Sequence, residues 1–152
     1  MKKAILTLCV TLTLGLILFS CGGNSNNNST ATTTAPTAVT AAPSPTDAGQ
    51  AVFKRTCFAC HQADGKGLPN AFPPLAGSDY LLADKFRAVR QVIKGSSGKI
   101  TVNGTEFNGV MPPQALNDTD IANVLTYVYH SFGNNGFNVS PSEVKSVRDT
   151  IK

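Results

Sequence analysis

The sequence predicts an all-α domain with three core helices, a short β-hairpin between the second and third, and an extra helix at the C-terminus. Three observations predict it. Apolar residues recur at helical spacing in the stretches that begin at Asp47, Asp79 and Asn117. Asn103-Gly104, the strongest two-residue hairpin turn, stands between Lys99-Ile100-Thr101-Val102 and Thr105-Glu106-Phe107. The first helical stretch ends on Cys57-Phe58-Ala59-Cys60-His61, where two thiols and an imidazole can act on one small object.

The 152 residues give room for one domain plus tails. Net charge is +4, but Lys2 and Lys3 belong to a segment expected to be removed, and no basic run or stripe points to nucleic acid. Trp is absent and only 14% of residues are charged, which fits a small domain that takes a cofactor into its core. Each of the four cysteines has its own place, so no pair remains for a structural disulfide. Small exported domains usually need such a staple.

From the N-terminus, Lys2-Lys3 and the apolar stretch Ala4 to Phe19 have the form of an export signal, spanning residues 1–20. The stretch is short for a transmembrane helix, which needs ~20 apolar residues. Leu18-Phe19-Ser20-Cys21 resembles a lipoprotein cleavage site, with Cys21 as the lipid anchor; Phe19 departs from the small or aliphatic residue usual there, and an uncleaved anchor or secretion with Cys21 free is the alternative. Residues 21–46 are Asn, Ser, Thr, Ala and Pro without apolar periodicity, and read as a disordered tether. All of this places the domain, residues 47–133, on the periplasmic side of a bacterial membrane.

Asp47 reads as the first helix cap, with Gln50 completing a capping box, and Gly49, Phe53 and Cys57 then share one face. A Gly inside a helix costs ~1 kcal/mol against Ala, which hints at close approach by a neighbour. Cys57 and Cys60 stand at i and i+3, so both sulfurs leave one side of the turn, with His61 next. If each thiol adds across a vinyl group of a haem, two tethers fix the porphyrin edge and His61 can reach the iron. A thioredoxin-like thiol pair and a zinc site compete with this reading. The first wants a βαβ setting, and the second needs a fourth ligand that only His130 or Cys21 could supply as His or Cys.

Asp64-Gly65-Lys66-Gly67 is turn chemistry, and the Pro-rich, apolar segment through Phe72-Pro73-Pro74-Leu75-Ala76-Gly77 suits a loop lying against a flat cofactor. A Pro carbonyl there can accept the second ring hydrogen of His61. Asp79 to Lys94 reads as one helix with Leu82, Phe86, Val89 and Ile93 facing the core and Gly95 as its stop. Met111, the only Met beyond Met1, is pushed into an extended conformation by Pro112 and stiffened by Pro113. It reads as a thioether ligand to iron, against the alternative of a gap-filling core residue. Asn117 opens the last core helix, with Ile121, Val124, Leu125 and Val128 as its stripe and Gly133 as its end. His130 near that end is a rival ligand or, more simply, a surface residue. In the tail, residues 134–152, Ser140 caps a helix with Pro141 first and Val144, Val147 and Ile151 as its apolar edge.

Cys57-x-x-Cys60-His61, Pro73-x-Leu75-x-Gly77, Met111-Pro112, and Gly49 and Phe53 paired with Val124 and Tyr127 together resemble a class I c-type cytochrome over residues 47–133. The resemblance implies the cytochrome c fold around one covalent haem c, with His61 and Met111 on the iron, the Pro73 carbonyl on His61, and Leu75 against the haem. The Phe-Pro-Pro-Leu loop and the hairpin before Val-Met-Pro-Pro resemble, more narrowly, cytochrome c domains associated with bacterial copper nitrite reductases. The implied role is a monomeric, non-enzymatic electron carrier. Its partner would be a redox enzyme: a copper nitrite reductase, a dehydrogenase or a terminal oxidase. A haem enzyme or gas sensor with an exchangeable sixth ligand is the alternative.

Overall fold

A computed structural model describes residues 44–151; the export signal, Cys21 and the tether as far as residue 43 lie outside the described residues. Among the described residues the order is α1 (Pro45–Thr56), α2 (Phe58–His61), α3 (Asp79–Ala83), α4 (Lys85–Lys94), β1 (Ile100–Val102), β2 (Thr105–Phe107), α5 (Asp118–Tyr129) and α6 (Pro141–Thr150). The architecture is mostly helical with one two-stranded sheet, as the sequence predicts. None of these helices is long and apolar enough to cross a membrane.

Helix α1 starts before the expected cap. Ser44 takes the N-cap place, accepting from the Asp47 backbone N–H at 3.2 Å and donating its hydroxyl to the Asp47 carboxylate at 2.8 Å. Pro45 occupies the first turn, where its missing N–H costs nothing. Gly49 therefore lies a full turn inside the helix, and it is buried. A Cβ there would run into the Asn123 carbonyl oxygen and come within 2.6 Å of the Tyr127 Cβ, so the glycine lets α1 cross α5 in direct backbone contact. Phe53, one turn on, stacks with Tyr127 (centroids 5.6 Å apart) and Phe132 (5.3 Å). Val124 is buried in the same core as Phe53 and also lines the cleft described below.

The helix expected over residues 79–94 is two helices. Asp84 is extended (φ −154°, ψ 106°), and its carboxylate caps α4 by accepting from the backbone N–H groups of Phe86 and Arg87. A short polar side chain that bonds the following backbone competes with helix continuation. The break shifts the buried face to Leu81, Ala88, Val89 and Val92, and leaves Phe86 exposed. Helix α5 closes at Tyr129 with His130 as its C-cap, short of the Gly133 stop expected.

The hairpin pairs Ile100 with Phe107 and Val102 with Thr105, its turn made by Asn103 (φ 50°) and Gly104 (φ 77°). Asn103 and Asp79 exchange backbone-to-side-chain hydrogen bonds of 2.8 and 3.0 Å, which fasten the turn to the start of α3. Helix α6 carries the complete Ser140–Glu143 capping box and buries Val144 and Val147 against α4 and α5. Lys85 donates to Glu143 at 2.5 Å and Arg148 to Asp118 at 2.7 Å.

The Lys85 hydrogen bond, with the Ser140 N–H second, holds the Glu143 carboxyl below its ordinary range. The unfolded chain then takes up that proton more readily, so this stabilisation is complete above the ordinary Glu range and fades as pH falls through it. Glu143→Gln is expected to flatten the loss of stability between roughly pH 5 and 3, read from denaturant midpoints at each pH. Gly49→Val is expected to cost about 1–3 kcal/mol by overpacking the crossing, seen as a lower thermal midpoint with the helical circular-dichroism signal retained below it.

Candidate cofactor site

Beside the α1–α5 crossing, α4, the hairpin and the two long loops leave a cleft, partly open to solvent, with about 190 Å³ of room inside it. Its walls are apolar: Leu75 and Leu81, Val92 of α4, Val102 and Phe107 of the hairpin, and Val124, Leu125 and Val128 of α5. Among the described residues no Lys, Arg, Asp or Glu lines it. A polar pair, Tyr80 and Gln91, does, with the Gln91 amide donating to the Tyr80 hydroxyl at 3.1 Å. The hairpin that precedes Met111 is thus also a wall.

Cys57, Cys60, His61, Pro73, Leu75 and Met111 all line this cleft. Cys57 closes α1, its N–H on the Phe53 carbonyl, and its own carbonyl accepts from Cys60 and His61, so the helical turn expected for the motif is present. Directly after His61 the chain turns through Gln62 at φ 61°, and Gly67 (φ 66°) donates back to the His61 carbonyl at 3.1 Å. A Cβ on Gly67 would strike the Phe72 carbonyl, so only glycine lets the Pro loop fold back this closely. His61 Nδ1–H donates to the Pro73 carbonyl at 3.1 Å, which leaves Nε2 as the ring nitrogen with a lone pair. Burial pushes the imidazole below its ordinary pKa, partly offset by that carbonyl, so the ring is neutral at pH 7, the form that ligates metals.

On the Met side, Met111 and Ser96 exchange two backbone hydrogen bonds of 2.9 Å. Gly95 (φ 75°) passes so close beneath that a Cβ would meet the Met111 carbonyl oxygen and the Pro113 nitrogen. The Met loop is therefore fixed by its backbone to the end of α4, leaving the thioether on the cleft.

Burial raises the Cys57 thiol pKa, against a smaller lowering by Thr56. A reactive redox thiol needs the opposite shift. Among the described residues no three His, Cys, Asp or Glu side chains gather to hold a metal ion. The raised thiol pKa speaks against the thiol-redox reading; of the fourth ligands considered for zinc, Cys21 lies outside the described residues. His130 is exposed, away from the cleft, and its Nε2 pairs with Asn138 Oδ1 at 2.9 Å. Two buried residues went unread in the sequence. Tyr129 donates its hydroxyl to the Leu81 carbonyl at 3.2 Å, and burial pushes its pKa up to about 12. Asn134 ties the Pro loop to α5. Neither carries a local signal: one looks like any helical aromatic, the other sits in Gly133-Asn134-Asn135-Gly136, which reads as loop.

Fold and site together define a small helical protein that takes a flat, tethered cofactor into its core. The chain belongs to the cytochrome c family, whose family model, cytochrome c, matches residues 46–131. Cytochrome c-552 of Thermus thermophilus is 38% identical over 102 residues, covering 60% of this chain and 78% of that protein. The cytochrome c subunit of the quinone alcohol dehydrogenase of Gluconobacter oxydans is 28% identical over 119 residues, 68% of this chain and 22% of the subunit. The fructose dehydrogenase cytochrome subunit of Gluconobacter japonicus is 30% identical over 108 residues, again 68% and 22%. The chain thus spans about a fifth of these dehydrogenase subunits.

The protein is a class I c-type cytochrome, an electron carrier with covalently bound haem c. The residues present fit that group: two thiols one turn apart, a neutral imidazole, and apolar walls with one polar pair. Acidified organic solvent is expected to leave the colour on the wild-type polypeptide and to strip it from a Cys57→Ser/Cys60→Ser double variant, read by absorbance and intact mass.

Proposed function

We propose that this cytochrome is a membrane-tethered one-electron carrier whose iron is held between His61 and Met111. The observation that carries the reading is that both side chains line one apolar cleft while their backbones are separately locked, His61 by Pro73 and Gly67 and Met111 by Ser96. Haem iron supplies the chemistry, exchanging one electron between ferrous and ferric states. The chain's part is to hold both ligands still, so that coordination is the same before and after transfer. The Met111 thioether favours the ferrous form relative to a second imidazole, and the apolar walls disfavour added charge, so the potential is higher than in a two-His site. Tyr80 and Gln91 are the polar pair available to the cofactor's carboxylates.

Cys21 carries the lipid in this proposal. The tether read from the sequence would hold the carrier on the periplasmic face and raise its concentration near its partner. The partner is a redox enzyme met through the cleft mouth, where Val110, 71% exposed, offers an apolar step. A contact below ~1,200 Å² suits an encounter that must end quickly. Dehydrogenases are supported as the partner class by the subunits to which this chain is similar. A copper nitrite reductase rests on the likeness of the Pro and Met loops, and a terminal oxidase is the third possibility.

Met111→Ala decides the ligand assignment. The expected result is loss of the sulfur-to-iron absorption band near the red end, a lower potential, and new binding of carbon monoxide or cyanide. An unchanged band and potential would remove Met111 from the iron and revive the reading with an exchangeable sixth ligand.

A further inference from the structure

The loop that receives the His61 ring hydrogen has an unusual weakness. Pro73 and Pro74 carry no backbone N–H, so between Phe72 and Leu75 the chain has no donor with which to anchor itself. Its position depends on what grips its two ends. At the near end Leu68 and Phe72 pair with each other through backbone bonds of 2.9 and 3.0 Å. At the far end the Leu75 and Ala76 N–H groups share the Gly65 carbonyl, at 2.7 and 2.9 Å. The remaining grip comes from a side chain.

That side chain is Asn134. It is buried, and three of its four hydrogen-bonding positions are in use, both N–H donors among them: Oδ1 accepts from the Gly77 N–H at 2.8 Å, and Nδ2 donates to the carbonyls of Leu75 (3.0 Å) and Val128 (2.9 Å). Two bonds therefore go to the Pro loop and one to the end of α5. Asn134 reaches that place because the chain doubles back after α5 through two positive-φ residues, Phe132 (58°) and Gly133 (79°). A bulky residue rarely adopts that conformation. Here the Phe132 ring holds it there, packed on Phe53, Tyr127 and the bare Cα of Gly65. Gly65 is the residue whose carbonyl anchors the same loop.

The geometry points to Asn134 as a positioning residue that holds the Pro73 carbonyl on His61 and thereby tunes the bond from the imidazole to iron. The assignment rests on His61 being an iron ligand. A carbonyl pulled close to Nδ1–H makes the imidazole a more basic ligand and favours ferric iron. Loosening the loop lengthens that hydrogen bond, weakens the ligand and raises the potential. A residue that merely filled space at this position would change stability and leave both properties alone.

The test uses the haem-loaded protein. Asn134→Leu keeps the approximate volume and deletes every hydrogen bond, while Asn134→Ser keeps a shorter hydroxyl and serves if the Leu variant does not fold. Val144→Ala, a buried α6 side chain that does not line the cleft, controls for lost stability alone. Two readouts are taken: solvent exchange of the His61 ring N–H by NMR in the reduced protein, and the reduction potential. The Leu variant is expected to exchange about tenfold faster and to shift the ferrous-to-ferric ratio severalfold toward ferrous, a tenfold shift being 59 mV for one electron. The Ser variant moves both the same way by less, and Val144→Ala moves neither. Unchanged exchange and potential in the Asn134 variants, or an equal shift in Val144→Ala, would overturn the assignment. A wild-type protein whose iron is not bound by His61 would instead sink the reading beneath it, and its own spectrum would show that first.

Discussion

An apolar cleft in the middle of the domain is the constraint on which this structure depends. Leu75, Leu81, Val92, Val102, Phe107, Val124, Leu125 and Val128 line it from the Pro loop, α3, α4, the hairpin and α5, and most of them are also buried in the surrounding core. Apolar area left facing water along it is a cost to so small a domain. A flat group stitched in by two thioethers turns the same area into core, and because it cannot leave, its binding is part of the fold. The remaining architecture follows. With a cleft in the middle of the domain, helix packing is densest at the α1–α5 crossing and in the α4–α5–α6 layer. The first must be tight, hence a glycine against the Asn123 carbonyl. The second needs an added helix, stapled by Lys85–Glu143 and Arg148–Asp118.

Much of this was legible in the sequence because it is local. The order of the main elements, the Asn103-Gly104 turn, the capping box at Ser140, and the grouping of Cys57, Cys60, His61 and Met111 each follow from neighbouring residues or from one motif. The departures share a cause: two local signals competed and the stronger lay a few residues away. Ser44 outcompetes Asp47 as the cap of α1 because Pro45 behind it is preset for a first turn, and Asp47 can then answer the serine hydroxyl. Asp84 breaks the long helix because its carboxylate serves two backbone N–H groups at once, which rotates Phe86 outward against a period that seemed continuous.

What was not legible is what acts at long range in sequence. Tyr129 reaches back to Leu81, and Asn134 to Leu75 and Gly77. Neither bond leaves a trace in spacing or composition, since a single buried hydrogen bond constrains one residue at each end and nothing between. The cleft's polar pair is similar. Tyr80 falls within the helix expected from Asp79, and only the fold sets its hydroxyl beside Gln91 with the Arg87 guanidinium 3.8 Å over its ring.

The two sides of the site solve one problem by different means. Met111 is held by its backbone, paired both ways with Ser96 across a glycine that no other residue could replace without collision, so the sulfur inherits the rigidity of α4. His61 is held through its ring: the backbone brings it to the cleft, and the Pro73 carbonyl fixes how the imidazole is turned. A weak iron–sulfur bond tolerates little motion in the chain that carries it, whereas a strong iron–imidazole bond can be adjusted through its outer hydrogen bond. With His61 and Met111 as the proposed iron ligands, rigidity on the thioether side would preserve the bond, and hydrogen bonding on the imidazole side would set its electronic character. Under the same proposal the contacts of Asn134 act on the imidazole side, where a small displacement changes a property on which an electron carrier depends.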